Sequence, residues 1–231
     1  MSTVTTPADT HASFAELALH LYEEPTVPET VDRVLDFARS AVNCSHATVL
    51  FVHGRKRIET VASTDPVLAE LDGRQMELGE GPDLALAQGG DDVMVRDIGE
   101  DVRWPLWASI VAGAGLRSMI GVRLYTSQRT IGSLNLYDVH PDHFTEPDRQ
   151  VAHVLARHAA LALGRVQDSE HLLRAMDSRK LIGQAQGILM ERFQLDDAGA
   201  FAVLRRYSQN NNMKLHDVAR LVVETRHLPG V

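Results

Sequence analysis

Residues 118–138 read SMIGVRLYTSQRTIGSLNLYD. Ser118–Tyr125 and Thr130–Asp138 are rich in apolar and β-branched residues, and the polar TSQR between them has turn character, so the two runs predict long neighbouring antiparallel strands. Toward the N-terminus, ATVLFV (47–52) and RIETVA (57–62) flank the turn-forming HGRK and predict a second hairpin. VMVRDI (93–98) is a further strand candidate. A polar lead-in, residues 1–11, is expected to be disordered, and a first helix is expected from Ala12 to Glu23. Thr26 opens the next helix, because Thr26 and Glu29 have capping-box spacing, Pro28 sits in the first turn, and Val31, Val34, Leu35 and Ala38 share a face. That helix is expected to end near Cys44. LGEGPDLALAQGG (78–90) reads as a loop, and a helix is expected around Trp104 to Ala114. An antiparallel sheet with one apolar face needs a cover, so helices before, within and after it make the fold class α+β.

Thr145 and Asp148 form another capping-box pair. From there Val151, Val154, Leu155, His158, Leu161, Ala162, Val166, Leu172, Leu173 and Met176 recur at steps of three and four, with no proline to interrupt them. The spacing predicts one long connecting helix whose apolar stripe outruns the domain that covers its first turns, and therefore a homodimer built as a coiled coil through this segment. LIGQAQGILMERF (181–193) continues the helical pattern, placing Ile182, Ala185, Leu189 and Phe193 inward while tolerating Gly183 and Gly187, each of which costs about 1 kcal/mol relative to alanine. Two more helices follow, one beginning at Asp196 or Asp197 with Ala200, Phe201, Leu204 and Tyr207 inward, the other using Leu215, Val218, Ala219 and Val222. The domains read as 12–165 and 166–231, the latter with a three-helix core at about 176–224.

The net charge of −8 is unevenly spread. Residues 1–168 hold 14 Lys and Arg against 24 Asp and Glu, a balance of −10; residues 169–231 hold 9 against 7, a balance of +2. Such a split gives the two parts different work. Apolar runs fall short of a membrane span and the N-terminus lacks the regions of a signal peptide, so a cytoplasmic protein without a membrane partner is expected. A single cysteine, Cys44, excludes an internal disulfide and a cysteine metal cluster, and reads as a buried structural thiol.

The residues that carry chemistry are sparse. There is no GxGxxG and no P-loop, and no nucleophile stands in a recognisable context, so neither an enzyme nor a cofactor is expected. His140 and His143, in DVHPDHF, have a spacing that can contact a metal, but Pro141 and the strand-to-helix position favour a polar turn, and no metal is expected. Trp104 and Trp107 can line a ligand pocket with Met119 or pack as core. In the C-terminal unit Arg179, Lys180, Arg192, Arg205, Arg206 and Lys214 stand among Gln184, Gln186, Gln209 and three asparagines, a mixture that can hold phosphates and read base edges. A solvated mixed-charge surface is the plain alternative, and a DNA-binding reading fails for want of a strongly basic recognition helix.

SRKLIGQAQGILMERF, DDAGAFAVLRRYSQ and NMKLHDVARLVV, over about Met176 to Glu224, resemble the ANTAR domain, the RNA-binding module of bacterial transcription antiterminators. LGEGPDLALAQGG, DVRWPLWASIVAGAGLRSMIGVRLY and TIGSLNLYDVHPDHFTEPD resemble a GAF domain, a small-molecule sensory fold. The resemblance implies a sensor whose GAF domain receives an unknown signal, with a possible small-molecule ligand near Trp104, Trp107 and Met119. It implies that paired ANTAR domains bind paired hairpins in a nascent transcript through Arg179, Lys180, Gln184, Gln186, Gly187, Arg192, Arg205, Arg206 and Lys214. A protein–protein signalling adaptor that uses the helical tail without RNA is the alternative. The chain departs from related GAF domains at Asp83, where cysteine is frequent. It lacks the several cysteines of methionine sulfoxide-reducing GAF enzymes and the cyclic-nucleotide pattern, and it carries Gln186 where ANTAR helices often have lysine.

Overall fold

The computed structural model describes residues 19–21, 23–53 and 57–228. The chain divides into two compact units between Gln167 and Asp168. The first contains α1 (Val27–Val42), β1 (His46–His53), β2 (Arg57–Ser63), α2 (Pro66–Leu78), α3 (Pro82–Ala87), β3 (Asp92–Val95), a 3-10 turn (Ile98–Glu100), α4 (Pro105–Gly113), β4 (Ser118–Tyr125) and β5 (Thr130–Asp138). Helix α5 (Glu146–Phe193) begins in the first unit and ends in the second, where α6 (Asp197–Asn210) and α7 (Leu215–Thr225) complete the chain. The expected lead-in lies outside the described residues, as does most of the expected Ala12–Glu23 helix, of which 19–21 and 23 are helical.

The sheet order is β2-β1-β5-β4-β3 with every neighbouring pair antiparallel. In the β4–β5 pair Met119 lies opposite Tyr137 and Val122 opposite Leu134. Because successive side chains point to opposite faces, Leu134 and Leu136 enter one core with α1 and the first turns of α5, while Tyr137 enters a second core with α2, α3 and α4. Thr26 caps α1 as expected, accepting from Glu29 N at 3.4 Å and donating to Glu29 Oε2 at 2.7 Å. Burying Val31, Val34 and Leu35 on that helix contributes about 1.5–3 kcal/mol apiece before chain entropy is subtracted. Cys44, just beyond the helix end, is buried, and its thiol donates to His46 O at 3.4 Å. Burial is the main reason that its pKa is pushed up to about 12.

Two helices stand where no helix was expected. α3 occupies part of the presumed loop at 78–90, and α2 precedes it, capped by Asp65, which accepts from Val67 N at 2.9 Å. The buried face of α2 is Leu68, Leu71, Asp72 and Gln75, half of it polar, and an apolar periodicity cannot reveal such a helix.

Helix α5 is 48 residues long and starts at the Thr145 cap, where Thr145 N and Oγ1 donate to Asp148 Oδ2 at 2.8 and 2.5 Å. Its apolar residues do not form one stripe. Ala152, Leu155, Ala159, Leu163 and Val166 are buried against the sheet, whereas Val154 and Leu161 in the first unit, and Leu172, Leu173 and Met176 in the second, face outward. In the second unit Ala185, Leu189, Ala200, Leu204, Val218, Ala219 and Val222 form the core. Phe193 and Phe201, expected inward, are each 37% exposed, and Ile182, Tyr207 and Leu215 are half-buried at the core edge. Small residues at 185, 200 and 219 bring the three helices close, leaving no room at the centre for large rings. Among the described residues no helix is long and apolar enough to cross a membrane.

Candidate functional site

On the face of the sheet that meets α2, α3 and α4, a polar network lies inside an apolar layer. Asp72 and Asp83 are both 1% exposed. Asp83 Oδ1 accepts from Ser133 Oγ at 2.6 Å and Asn135 Nδ2 at 2.9 Å, and Asp83 Oδ2 accepts from Gln75 Nε2 at 2.6 Å. Asp72 Oδ1 accepts from the Tyr137 hydroxyl at 3.2 Å, and Oδ2 from Thr60 Oγ1 at 3.3 Å. Burial raises both carboxyl groups above the ordinary range, Asp72 well above it because the Asp83 charge adds to burial, while hydroxyl and amide donors oppose the shift. Burial, followed by the Asp72 and Asp83 charges, also raises the Tyr137 phenol well above its usual value.

The segment GEGPD is built for this arrangement. Gly79 closes α2 in the left-handed region at φ 69°, and Glu80 Oε1 accepts from Leu106 N at 2.6 Å and Trp107 N at 2.9 Å, holding the start of α4. Gly81 adopts φ 142°, where a Cβ would also lie 2.2 Å from Gln75 Oε1. Pro82 starts α3, and Asp83 sits in its first turn. Asp83 is thus a carboxylate tied to β5 through Ser133 and Asn135 and to α2 through Gln75.

Trp107 and Met119, singled out from the sequence, lie fully buried in the apolar layer with Tyr137, and Trp104 packs beside them, its ring edge-on to Trp107 at 6.0 Å. Arg103 stacks its guanidinium 4.5 Å from the Trp104 ring centre. Two polar atoms of this layer, Asn135 Oδ1 and Trp107 Nε1, are buried without a hydrogen-bond partner, while the Thr48 hydroxyl faces the Asp72 carboxyl. Thr48 and Asn135 stand directly opposite one another on β1 and β5.

In the second unit a cavity of about 510 Å³ is lined by Gln184, Gly187, Ile188, Glu191 and Arg192 of α5, Val223 of α7, and Arg226 just beyond α7. A Cβ on Gly187 or on Gly183 would meet nothing within 4 Å, so neither glycine serves close packing inside the unit. Arg192 Nη1 donates to Arg226 O at 2.7 Å, fixing one wall. Three of the residues named from the sequence, Gln184, Gly187 and Arg192, meet here. Arg179, Lys180, Arg205, Arg206 and Lys214 are exposed but do not line the cavity. Gln186 points elsewhere: its amide donates to Asp197 Oδ1 at 2.7 Å and Asp197 O at 3.3 Å, holding the start of α6. Ile188, Glu191, Val223 and Arg226 were not anticipated, and Arg226 lies far from α5 in sequence, in the left-handed cap of α7.

A GAF domain model matches residues 24–164, and an ANTAR domain model matches residues 170–223. The chain belongs to the GAF family and carries an ANTAR domain. Similar solved structures share the fold. The GAF domain of an Acinetobacter phosphoenolpyruvate-protein phosphotransferase is 14% identical, with a TM-score of 0.57 over 74% of this chain and 99% of that one. A bacteriophytochrome from R. palustris is 12% identical, with a TM-score of 0.60 over 88% of this chain and 47% of its own. The photosensory core module of a Stigmatella aurantiaca phytochrome is 11% identical, with a TM-score of 0.60 over 90% and 46%. No curated protein matches the chain. With its GAF and ANTAR domains, the protein is a signal-sensing regulator.

Proposed function

We propose that this GAF-ANTAR protein is an RNA-binding transcription antitermination regulator. In this reading the GAF domain receives a signal, and two ANTAR domains of a homodimer bind paired hairpins in a nascent transcript, so that the terminator does not form. The observation that carries the reading is the open cavity beside Gly187. Its volume of about 510 Å³ suits a small planar group, and the splayed bases of RNA loops present such groups. Gln184 offers an amide to a base edge, Arg192 and Arg226 offer guanidinium groups, and Ile188 and Val223 offer an apolar wall. Arg179, Lys180, Arg205, Arg206 and Lys214 supply sequence-independent attraction to phosphates.

The exposed row Val154, Leu161, Leu172 and Met176 supports the dimer, because apolar side chains at coiled-coil spacing gain by covering one another. Two joined copies engage two loops with raised effective concentration. On the input side, the unpartnered Asn135 and Trp107 atoms suit a small polar ligand held in the layer that contains Trp104 and Met119. The protein then acts in the cytoplasm, where transcripts are made.

A gel-shift titration against an RNA with two adjacent short hairpins tests the reading. Saturable binding at low salt is expected. Arg205→Ala and Arg206→Ala should each weaken it and lower the salt slope by about 1 if each removes a phosphate contact. Absence of saturable binding overturns the RNA reading and leaves the tail as a protein-docking adaptor.

A further inference from the structure

Where β5 leaves the sheet, three side chains converge. Asp138, the last residue of the strand, is buried, and its Oδ2 is held by Ser45, whose N and Oγ donate at 3.0 and 2.7 Å. The other oxygen, Oδ1, lies 2.9 Å from His140 Nδ1 and 3.5 Å from His143 Nδ1. One ligand atom from each of the three residues can be chosen so that all lie within 4.8 Å of one another.

The ring orientations are set from outside the cluster. His143 Nε2 sits 3.4 Å from Val42 O, and a carbonyl only accepts, so Nε2 carries the hydrogen. In the neutral imidazole, Nδ1 then turns its lone pair toward a carboxylate oxygen. Facing a carboxylate oxygen at 3.5 Å, that lone pair needs a positive charge beside it, which a ring proton or a bound cation supplies. Phe144 packs against the His143 ring, edge to face at 4.9 Å, and holds it in place. His140 is mostly exposed, which leaves solvent access on its side.

We propose that Asp138, His140 and His143 form a binding site for a divalent transition-metal ion of the Zn²⁺ type. Ligand atoms about 2.1 Å from a tetrahedral ion are about 3.4 Å apart, and the observed separations of 2.9 and 3.5 Å bracket that spacing. Two imidazoles with one carboxylate are the donor set that borderline ions favour over Mg²⁺ or Ca²⁺. The supporting shell is already present, with Ser45 orienting the carboxylate and the Val42 carbonyl fixing the His143 tautomer. Water fills the fourth position. The bound ion braces the loop between β5 and α5, and the Val42 carbonyl on His143 links that loop to the end of α1, so the ion stabilises the part of the GAF domain from which the long helix starts.

Calorimetric titration of the EDTA-treated full-length chain with Zn²⁺ tests the site, with Co²⁺ absorption as a second measurement on the unmodified protein. One ion per chain at this site is expected, with visible Co²⁺ bands of tetrahedral intensity. His140→Ala changes an exposed side chain and should keep the fold, as judged by circular dichroism, while weakening Zn²⁺ binding at least tenfold; His143→Ala should weaken it equally. No saturable binding, octahedral Co²⁺ bands, or unchanged affinity in the folded His140→Ala variant overturns the proposal.

Discussion

Gln75 and Asp83 grip each other in both directions: the Gln75 amide donates to Asp83 Oδ2 at 2.6 Å, and its carbonyl oxygen accepts from Asp83 N at 2.9 Å. The pair joins α2 to α3 through Gly81, whose φ of 142° and missing Cβ make room for the Gln75 amide. Gly81→Ala is expected to destabilise the GAF domain by about 3 kcal/mol, combining backbone strain with loss of this hydrogen-bonded pair. Urea denaturation followed by tryptophan fluorescence measures it, and a change below about 1 kcal/mol would show that the loop relaxes freely.

Asp72 and Asp83 give the domain a pH dependence of definite sign. Both carboxyl groups are raised in the folded state, Asp72 by burial and then by the Asp83 charge, and both ionise near pH 4 when unfolded. Between those values the folded chain holds more protons, so stability falls as pH rises through the window. Asp72 is faced by Thr48 of β1, Thr60 of β2, Tyr137 of β5 and the Asp83 charge from α3. Asp72→Asn should flatten the decline in urea midpoint as pH rises above the unfolded carboxyl value of about 4, and should equal or exceed the parent in stability once the parent's Asp72 would have to ionise in the fold. A steeper decline would contradict the assignment.

The two glycines of α5 should part company on substitution. Gly183→Ala adds a Cβ into open space within a helix, so the ANTAR unit should gain about 0.5–1 kcal/mol in thermal denaturation. Gly187→Leu should preserve the fold yet weaken hairpin binding at least tenfold, because the new side chain enters the cavity. Full RNA affinity in a folded Gly187→Leu protein would remove the cavity from the interface.

The proposed homodimer is tested on the outward row of α5. Leu161 and Leu172 are 64% and 63% exposed, and charges at both positions leave the buried row untouched. The parent chain should sediment as the proposed dimer, and Leu161→Glu with Leu172→Glu should make it a monomer in sedimentation velocity with unchanged circular dichroism. A variant that sediments as the parent does would place the dimer contact elsewhere.

Strands β4 and β5 were legible to the residue, because their turn and their apolar runs are local signals. The Thr26 and Thr145 caps were legible for the same reason. Helix α2 was not, since Asp72 and Gln75 occupy buried positions where the pattern looks for apolar residues; Asp65-Pro66 before it and Gly79 after it were the available signs. Periodicity gathered Val154 and Leu155 into one stripe on α5, although they are adjacent residues with different environments, 41% and 1% exposed. The polar core joins residues 75, 83, 133 and 135 and, beside them, 60, 72 and 137, and no short motif spans that separation. In the ANTAR unit, the helical pattern and the ANTAR resemblance singled out Gln184, Gly187 and Arg192, which line one cavity, but Val223 and Arg226 join them only through the return of α7.

Cys44 leaves the protein with a practical asymmetry. It is the one cysteine of the chain, it is buried, and it remains a thiol rather than a thiolate at neutral pH. Maleimides and spin labels, which need an accessible thiolate, will pass it by. A cysteine introduced at Leu172 would therefore be the reactive handle in an otherwise silent background, and inter-spin distances between two labelled chains would follow the long helix through a signalling cycle.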